Sequence, residues 1–122
     1  MIVVDASAVV DFVLGRLDET RLEGRGRLHV PHLIDYEVVQ ALRRLRDAAL
    51  AARALEIFRD IRMTRYPLAP YLERVWALRR NLSSYDASYV ALAEGLGVPL
   101  LTTDARLARS AGHMARIEVL SG

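Results

Sequence analysis

The sequence predicts an α/β fold, in which a parallel sheet carries helices on its faces. Short apolar segments rich in β-branched residues alternate with longer segments whose apolar residues recur at helical spacing. The two clearest strands, residues 2–5 and 98–103, each lead to an aspartate, Asp5 and Asp104. Because sites in open α/β sheets form beyond the carboxyl ends of the strands, these aspartates indicate where function is to be sought.

Glycine and proline residues divide the chain into alternating strands and helices. Strands are predicted at residues 1–5, 28–30, 62–66, 98–102 and 116–120. Helices are predicted at residues 7–15, 32–46, 49–61, 70–81, 85–96 and 104–110, with a short helix and a loop at 17–26. Gly15, Gly97 and Gly112 follow three of the helices, and Pro31 stops the second strand.

The composition is that of one folded domain spanning residues 1–122, with 52% hydrophobic and 26% charged residues. The chain has no cysteine, which excludes disulfides, thiolate metal sites and cysteine nucleophiles. Its three histidines show no ligand spacing, which argues against zinc. No basic leader precedes Asp5, and no apolar run approaches the roughly 18–20 residues that span a bilayer. A cytoplasmic protein without membrane association is therefore expected.

All 17 basic residues are arginine, and the net charge is +2. The arginine fork suits bidentate recognition of phosphate, so the composition is compatible with a polyanionic partner. A genome-wide codon bias produces the same composition. The charge alone therefore leaves both explanations open.

Four acids are placed unusually. Asp5 and Asp104 follow strands, Glu37 interrupts the apolar stripe of its helix, and Asp86 faces inward in the first turn of the 85–96 helix. Carboxylates that converge repel one another and raise each other's pKa. A hard cation such as Mg²⁺ removes this conflict, and it also activates water and stabilises phosphoryl transfer. Their placement predicts a metal-dependent phosphodiesterase site.

Each acid also has a structural explanation. An aspartate near a helix N-terminus caps the helix, which stabilises it by ~1 kcal/mol. This applies to Asp5, Asp86 and Asp104 taken singly. Glu37 has the alternative of pairing with an arginine such as Arg44 or Arg79. These alternatives need a separate cause for each acid, whereas a metal site explains all four together.

Three segments resemble the PIN-domain family and, more narrowly, VapC-type toxin ribonucleases of toxin–antitoxin pairs. They are VVDASAVV at residues 3–10, HLIDYEVVQALRR at 32–44 and NLSSYDASYVALAEGLGVPLLTTDARLA at 81–108. The third segment is the most specific, and the acids follow the family's order. The resemblance extends over essentially the whole chain and implies an α/β/α sandwich with a mainly parallel sheet of four or five strands.

The resemblance also implies an activity. This is endoribonuclease cleavage of RNA with Mg²⁺ or Mn²⁺, leaving a 5′-phosphate and a 3′-hydroxyl. It makes Asp5, Glu37, Asp86 and Asp104 the catalytic and metal-binding quartet, with Ser7 and Thr102 in support. It further implies a VapB-type antitoxin as partner, and a homodimer. Neither the RNA nor the number of metal ions follows from it.

Residues near the acids are candidates for substrate binding. Arg79, Arg80 and Arg106 are the candidates for contacts with RNA phosphates. Trp76 and Tyr89 lie on helical stripes, so core packing is favoured for both over stacking on bases.

Two other functional classes are alternatives to a nuclease. Phosphotransfer domains also place acids at strand ends, but a receiver domain needs a lysine, and the phosphatase pattern needs a second aspartate where Ser7 stands. A non-catalytic RNA- or protein-binding PIN-like module is the remaining alternative. The presence of all four acids argues against it.

Overall fold

The computed structural model describes residues 1–121, which form a five-stranded parallel sheet flanked by helices. The strands are β1 (Ile2–Val4), β2 (Leu28–Pro31), β3 (Met63–Tyr66), β4 (Leu100–Thr102) and β5 (Ile117–Val119). The helices are α1 (Ala6–Val13), α2 (Leu33–Leu42), α3 (Ala48–Asp60), α4 (Leu72–Ala77), α5 (Ser84–Leu96) and α6 (Ala105–Ala108). The predicted α/β class and parallel sheet are confirmed.

The strand order is β3-β2-β1-β4-β5, and every pair is parallel. The chain first proceeds outward from β1 to β3 and then crosses back to place β4 on the other side of β1. The order therefore reverses between β1 and β4. In α/β sheets the crevice at such a reversal is where ligands bind, so Asp5 and Asp104, which follow these two strands, lie at that crevice.

The two central strands supply the deepest part of the core. Val3, Val4, Leu100 and Leu101 are each at most 1% exposed. A parallel strand covered on both faces by helices buries its residues on both sides, which explains why these segments are continuously apolar. This burial holds the ends of β1 and β4 rigidly beside each other.

Helix α5 places Asp86 at the same edge of the sheet. Ser83 caps its first turn by accepting a hydrogen bond from the Asp86 amide, and Gly97 ends it with a positive φ of 67°. Because α5 leads directly into β4, it runs antiparallel to the strands, and its N-terminus lies at their carboxyl ends. Asp86 therefore lies on the side of the sheet where Asp5 and Asp104 emerge.

Several predicted helices are shorter than expected. The 70–81 segment divides into a 3₁₀ turn, Ala69–Tyr71, with Pro70 near its start, and the six-residue α4. The 17–26 segment contains only the 3₁₀ turn Glu19–Arg21, because Gly24 and Gly26 both have positive φ. The single domain over residues 1–122 stays a prediction, and Gly122 lies outside the described residues. Of the helices within residues 1–121, none combines the length and the apolar character needed to cross a membrane.

Candidate active site

Asp5 is the most buried acid of the site, at 5% exposure. One carboxylate oxygen accepts hydrogen bonds from the Ser7 hydroxyl at 2.7 Å and the Ala8 amide at 3.1 Å. The other accepts one from the Thr102 hydroxyl at 2.6 Å. Burial raises the pKa of the Asp5 carboxyl, and the charge of Asp86 raises it further, although the three hydrogen bonds oppose the shift. Asp5 caps α1, as the structural explanation required, but two hydroxyls also orient it.

Ser7 and Thr102 link the ends of β1 and β4. The Thr102 oxygen accepts a hydrogen bond from the Asp104 amide at 3.0 Å while its hydroxyl donates to Asp5. The Ser7 oxygen similarly accepts from the Thr103 amide at 3.1 Å. Each hydroxyl thus fixes one carboxylate and one backbone segment, so Asp5 and Asp104 are held in a defined relation.

Asp104 is held by Arg106 and is 31% exposed at its side chain. Its carboxylate accepts hydrogen bonds from the Arg106 amide at 2.9 Å and from the guanidinium at 3.3 and 3.4 Å. Burial by itself raises the pKa of Asp104, but the hydrogen bonds and charge of Arg106 outweigh it, so that the pKa is lowered. The expectation that convergence would raise the pKa of every acid is therefore wrong for Asp104, because a cation lies beside it.

Glu37 points toward the other acids from α2 and is half-buried. Its carboxylate accepts a hydrogen bond of 2.7 Å from the phenol of Tyr89, and it forms none of the ion pairs among residues 1–121. The alternative of a pair with Arg44 is therefore not what the structure shows. Burial raises the pKa of Glu37, with further increases from the charges of Asp86 and Asp5.

Asp86 connects the two sides of the acid cluster, defined here as Asp5, Glu37, Asp86 and Asp104. Burial raises its pKa, the charge of Asp104 raises it further, and the charge of Arg106 partly opposes these effects. Its own charge raises the pKa values of both Asp5 and Glu37. Asp86 is therefore close enough to Asp5, Glu37 and Asp104 for their charges to interact. Asp86 does not cap α5, because Ser83 does.

The acid cluster can hold a cation only with help from water or from movement of its side chains. Within residues 1–121, no three acidic or histidine side chains are close enough to ligate one ion directly. Mg²⁺ binds commonly through one or two carboxylates and keeps several waters. Uncompensated oxygen ligands with raised pKa values fit this mode of binding, whereas they do not fit zinc, which prefers nitrogen and sulfur ligands.

Comparison with known proteins places this architecture in a family. A model of the PIN domain matches residues 2–112. The chain belongs to the PIN-domain family. It is 48% identical to ribonuclease VapC9 of Mycobacterium tuberculosis, with 98% of each chain covered, and 42% identical to ribonuclease VapC12 of that organism, with 99% of this chain and 100% of the relative covered. The predicted resemblance to VapC-type PIN domains is confirmed.

A solved structure shows the same PIN-domain fold. The DNA-bound VapBC structure from Salmonella typhimurium superposes with a TM-score of 0.71 and covers 97% of this chain and 96% of that one. The sequence identity is only 16%, so the likeness supports the fold alone. The α/β/α arrangement predicted from the resemblance is therefore confirmed.

The predicted substrate arginines have different surroundings in this PIN domain. Arg106 contacts Asp104 within the acid cluster and is 85% exposed at its side chain. Arg79 instead stacks on Trp76, with its guanidinium carbon 4.3 Å from the ring centroid, and donates to the Trp76 carbonyl. Arg80 is exposed beyond α4. Of the three, only Arg106 is shown touching an acid of the site.

Of the two aromatic residues predicted to pack in the core, Tyr89 does so and Trp76 does not. Trp76 was predicted to pack in the core, but it is 67% exposed, because α4 buries Val75 and Leu78 instead. Tyr89 is a core residue, at 1% exposure, but its phenol also positions Glu37. Its place one helical turn after Asp86 was the available signal for this second role.

Proposed function

We propose that this PIN domain is a Mg²⁺-dependent endoribonuclease and the toxin of a VapBC-type toxin–antitoxin pair. The observation that carries the proposal is the acid cluster at the β1–β4 crevice, where three of four carboxyl groups have raised pKa values. Holding three carboxyl groups with raised pKa values at one edge costs stability unless a cation compensates their charge. Relatives named as ribonucleases at 42–48% identity support RNA as the substrate class.

Asp5, Asp86 and Asp104, with Glu37 beside them, are proposed to hold the Mg²⁺, and Mn²⁺ suits the same oxygen ligands. Bound there, the ion lowers the pKa of a coordinated water and stabilises charge on the phosphate oxygens. Ser7 and Thr102 support this role by keeping the carboxylate of Asp5 aimed at the crevice.

Glu37 is proposed to accept the proton of the attacking water. Burial moves its pKa upward, toward the pH at which a general base is efficient. The buried Tyr89 phenol, whose own pKa is raised well above its usual range by burial and by Glu37, stays protonated and orients the carboxylate. The water oxygen then bonds to phosphorus and the bond to the 3′ oxygen breaks. The leaving 3′ oxygen takes a proton from solvent, which gives a 5′-phosphate and a 3′-hydroxyl.

A VapB-type antitoxin is proposed as the partner, and a homodimer as the form of the free toxin. Support for the antitoxin comes from the names of the relatives and from the VapBC structure with the same fold. Expression of the chain alone is then expected to arrest growth, and Glu37→Ala to relieve the arrest. A Glu37→Ala protein that accumulates normally and still arrests growth would count against the proposal.

The decisive experiment follows cleavage of labelled RNA in Mg²⁺ and again in EDTA. The proposal expects cleavage in Mg²⁺, loss of cleavage in EDTA and recovery when Mg²⁺ is restored. Cleavage that persists in EDTA contradicts the metal mechanism. RNA binding without cleavage under any divalent ion identifies the alternative, a non-catalytic binding module.

A further inference from the structure

A cleft of about 870 Å³ lies beside the acid cluster, between α2 and the first turn of α5. Leu33 and Val39 supply apolar lining, Tyr36 and Tyr85 supply aromatic rings, and Arg44 supplies a cation. Glu37 also lines the cleft, and it equally lines a smaller cavity that includes Ser7. The cleft therefore adjoins the proposed cleavage site at Glu37.

The two tyrosines of this cleft are not used by the core. Tyr36 is 79% exposed and Tyr85 is 59% exposed, whereas Tyr89, which donates a hydrogen bond to Glu37, is almost completely buried. Exposed aromatic rings retain apolar faces in water that a planar partner can cover. Because Tyr85 directly precedes Asp86 and Tyr36 directly precedes Glu37, each ring is attached to the backbone beside an acid of the cluster.

The charge of the cleft changes along its length. Asp35 lines it, but its carboxylate receives two hydrogen bonds from Arg65, at 2.9 and 2.8 Å, which compensate its charge. Arg44 takes part in none of the ion pairs found among residues 1–121. Away from Glu37 the cleft thus offers the uncompensated positive charge of Arg44. This charge favours a polyanion as the ligand over a basic protein surface.

We propose that the cleft of Tyr36 and Tyr85 binds unstacked bases of single-stranded RNA that continue from the phosphate held at the acid cluster. This inference rests on the proposed function, because an RNA cleaved at the acids must extend past them. The rings stack on bases, and Arg44 contacts a backbone phosphate of the same strand. Since every base has a planar face, the cleft selects single strands over duplexes without selecting a base.

The first test measures binding without cleavage. Fluorescein-labelled oligouridylate and oligoadenylate are titrated with the protein in EDTA, and fluorescence anisotropy gives the Kd. Tyr36→Ala and Tyr85→Ala are each expected to weaken binding about tenfold, the loss of one base–ring stack. Tyr36→Phe and Tyr85→Phe keep the rings and are expected to bind within about twofold of wild type.

The matched control is Trp76→Ala, because Trp76 is equally exposed and lies on α4, away from the lining of the cleft. It is expected to leave the Kd within about twofold of wild type, since no base stacks there. In Mg²⁺, the two tyrosine-to-alanine variants are expected to raise KM with kcat nearly unchanged, because the tyrosine rings bind substrate and do not touch the reacting atoms.

Three outcomes overturn the cleft as an RNA site. The first is that the two alanine variants bind both oligonucleotides with the Kd of wild type. The second is that Trp76→Ala weakens binding as much as they do. An unchanged Kd accompanied by a smaller mass in light scattering assigns the tyrosines to a contact between protein chains instead. The proposed function is tested separately by wild-type cleavage in Mg²⁺. If the wild type cleaves RNA and the tyrosine variants bind it normally, the RNA-binding role of the cleft is refuted while the nuclease function stands.

Discussion

Asp104 and Glu37 belong to the same acid cluster, but the protein treats them oppositely. Asp104 lies beside a guanidinium, and its pKa is lowered despite partial burial. Glu37 has only a neutral phenol as donor, and burial raises its pKa. One side of the cluster is thus compensated by a cation of the chain, and the other depends on a cation from solution. The comparison teaches that convergence of acids and compensation of their charge are separate properties of a site.

The difference also suggests how Arg106 acts when an ion binds. The guanidinium contacts Asp104, and its charge partly opposes the rise in the pKa of Asp86, so Arg106 supplies positive charge to both acids. Its side chain is 85% exposed and is free to turn away. We propose that a bound Mg²⁺ displaces the guanidinium from Asp104 and that Arg106 then contacts a substrate phosphate.

The largest effect is expected on the buried side. Asp5→Asn keeps the shape of the side chain but removes a charge from the proposed metal site, and cleavage is expected to fall at least about a thousandfold. Asp60→Asn, an exposed acid on α3, is the control and is expected to cleave normally. Initial rates of labelled RNA cleavage measure both, and near-normal turnover by Asp5→Asn contradicts the assignment.

The next effect concerns the compensated side. If Arg106 competes with the ion for Asp104, Arg106→Gln should tighten Mn²⁺ binding by about fivefold, a modest effect because the ion pair is exposed and screened by solvent. Arg109→Gln is the matched control, because Arg109 influences Asp104 by charge without hydrogen-bonding to it. Titration calorimetry without RNA gives both affinities. If both variants bind Mn²⁺ equally more tightly, the cause is the loss of a positive charge and not of the contact with Asp104. Weaker Mn²⁺ binding by Arg106→Gln excludes competition.

A smaller pair of effects should have opposite signs. Without metal, Glu37→Gln removes a half-buried charge and is expected to stabilise the fold by ~1 kcal/mol, since glutamine still accepts from Tyr89. Asp104→Asn retains the helix cap but loses the charge paired with Arg106, and is expected to destabilise by ~0.5 kcal/mol after solvent screening. Urea unfolding in EDTA measures both. Changes of the same sign would show that the two acids are not differently compensated.

The smallest expected effect is a dependence of metal-free stability on pH. Because Asp5, Glu37 and Asp86 have raised folded pKa values, the native state binds more protons than the unfolded state, so they destabilise the fold as pH rises from their ordinary values, 3.8 or 4.5, through the raised values. Asp104 acts oppositely, since its stabilisation is lost as pH falls through its lowered pKa.

The net result should be a fall in Tm of a few degrees between weakly acidic and neutral solution. Mg²⁺ should reverse the fall, because a ligand that binds only the folded state stabilises it. Thermal melts in EDTA and in Mg²⁺ provide the measurement. A Tm in EDTA that rises between weakly acidic and neutral pH would contradict the raised pKa values of Asp5, Glu37 and Asp86.

The sequence predicted the two central strands and the sheet edge from which Asp5 and Asp104 emerge, because both follow from apolar periodicity and parallel topology. The apolar runs before Asp5 and Asp104 identified two buried strands, and parallel neighbours bring such strand ends to one edge. Glu37 stood out because it interrupts an apolar stripe. These signals involve periodicity and topology, which a single sequence carries.

The compensation within the site was not predictable in the same way. Whether Arg106 bends back to Asp104 depends on side-chain rotamers at a short helix, and composition gives no sign of this. Trp76 misled for a related reason. Helical spacing placed it with Val75 and Leu78, but α4 is only six residues long and turns those two inward, leaving Trp76 outside.

The central claim is that the four acids form one cation site, and crystals soaked in Mn²⁺ test it most directly. The anomalous-scattering map should show an ion at the crevice between β1 and β4, contacted by Asp5, Asp86 or Asp104 directly or through water, with the Arg106 guanidinium withdrawn from Asp104. A map in which Mn²⁺ is absent from this crevice at saturating concentration, or binds only elsewhere on the surface, contradicts the account.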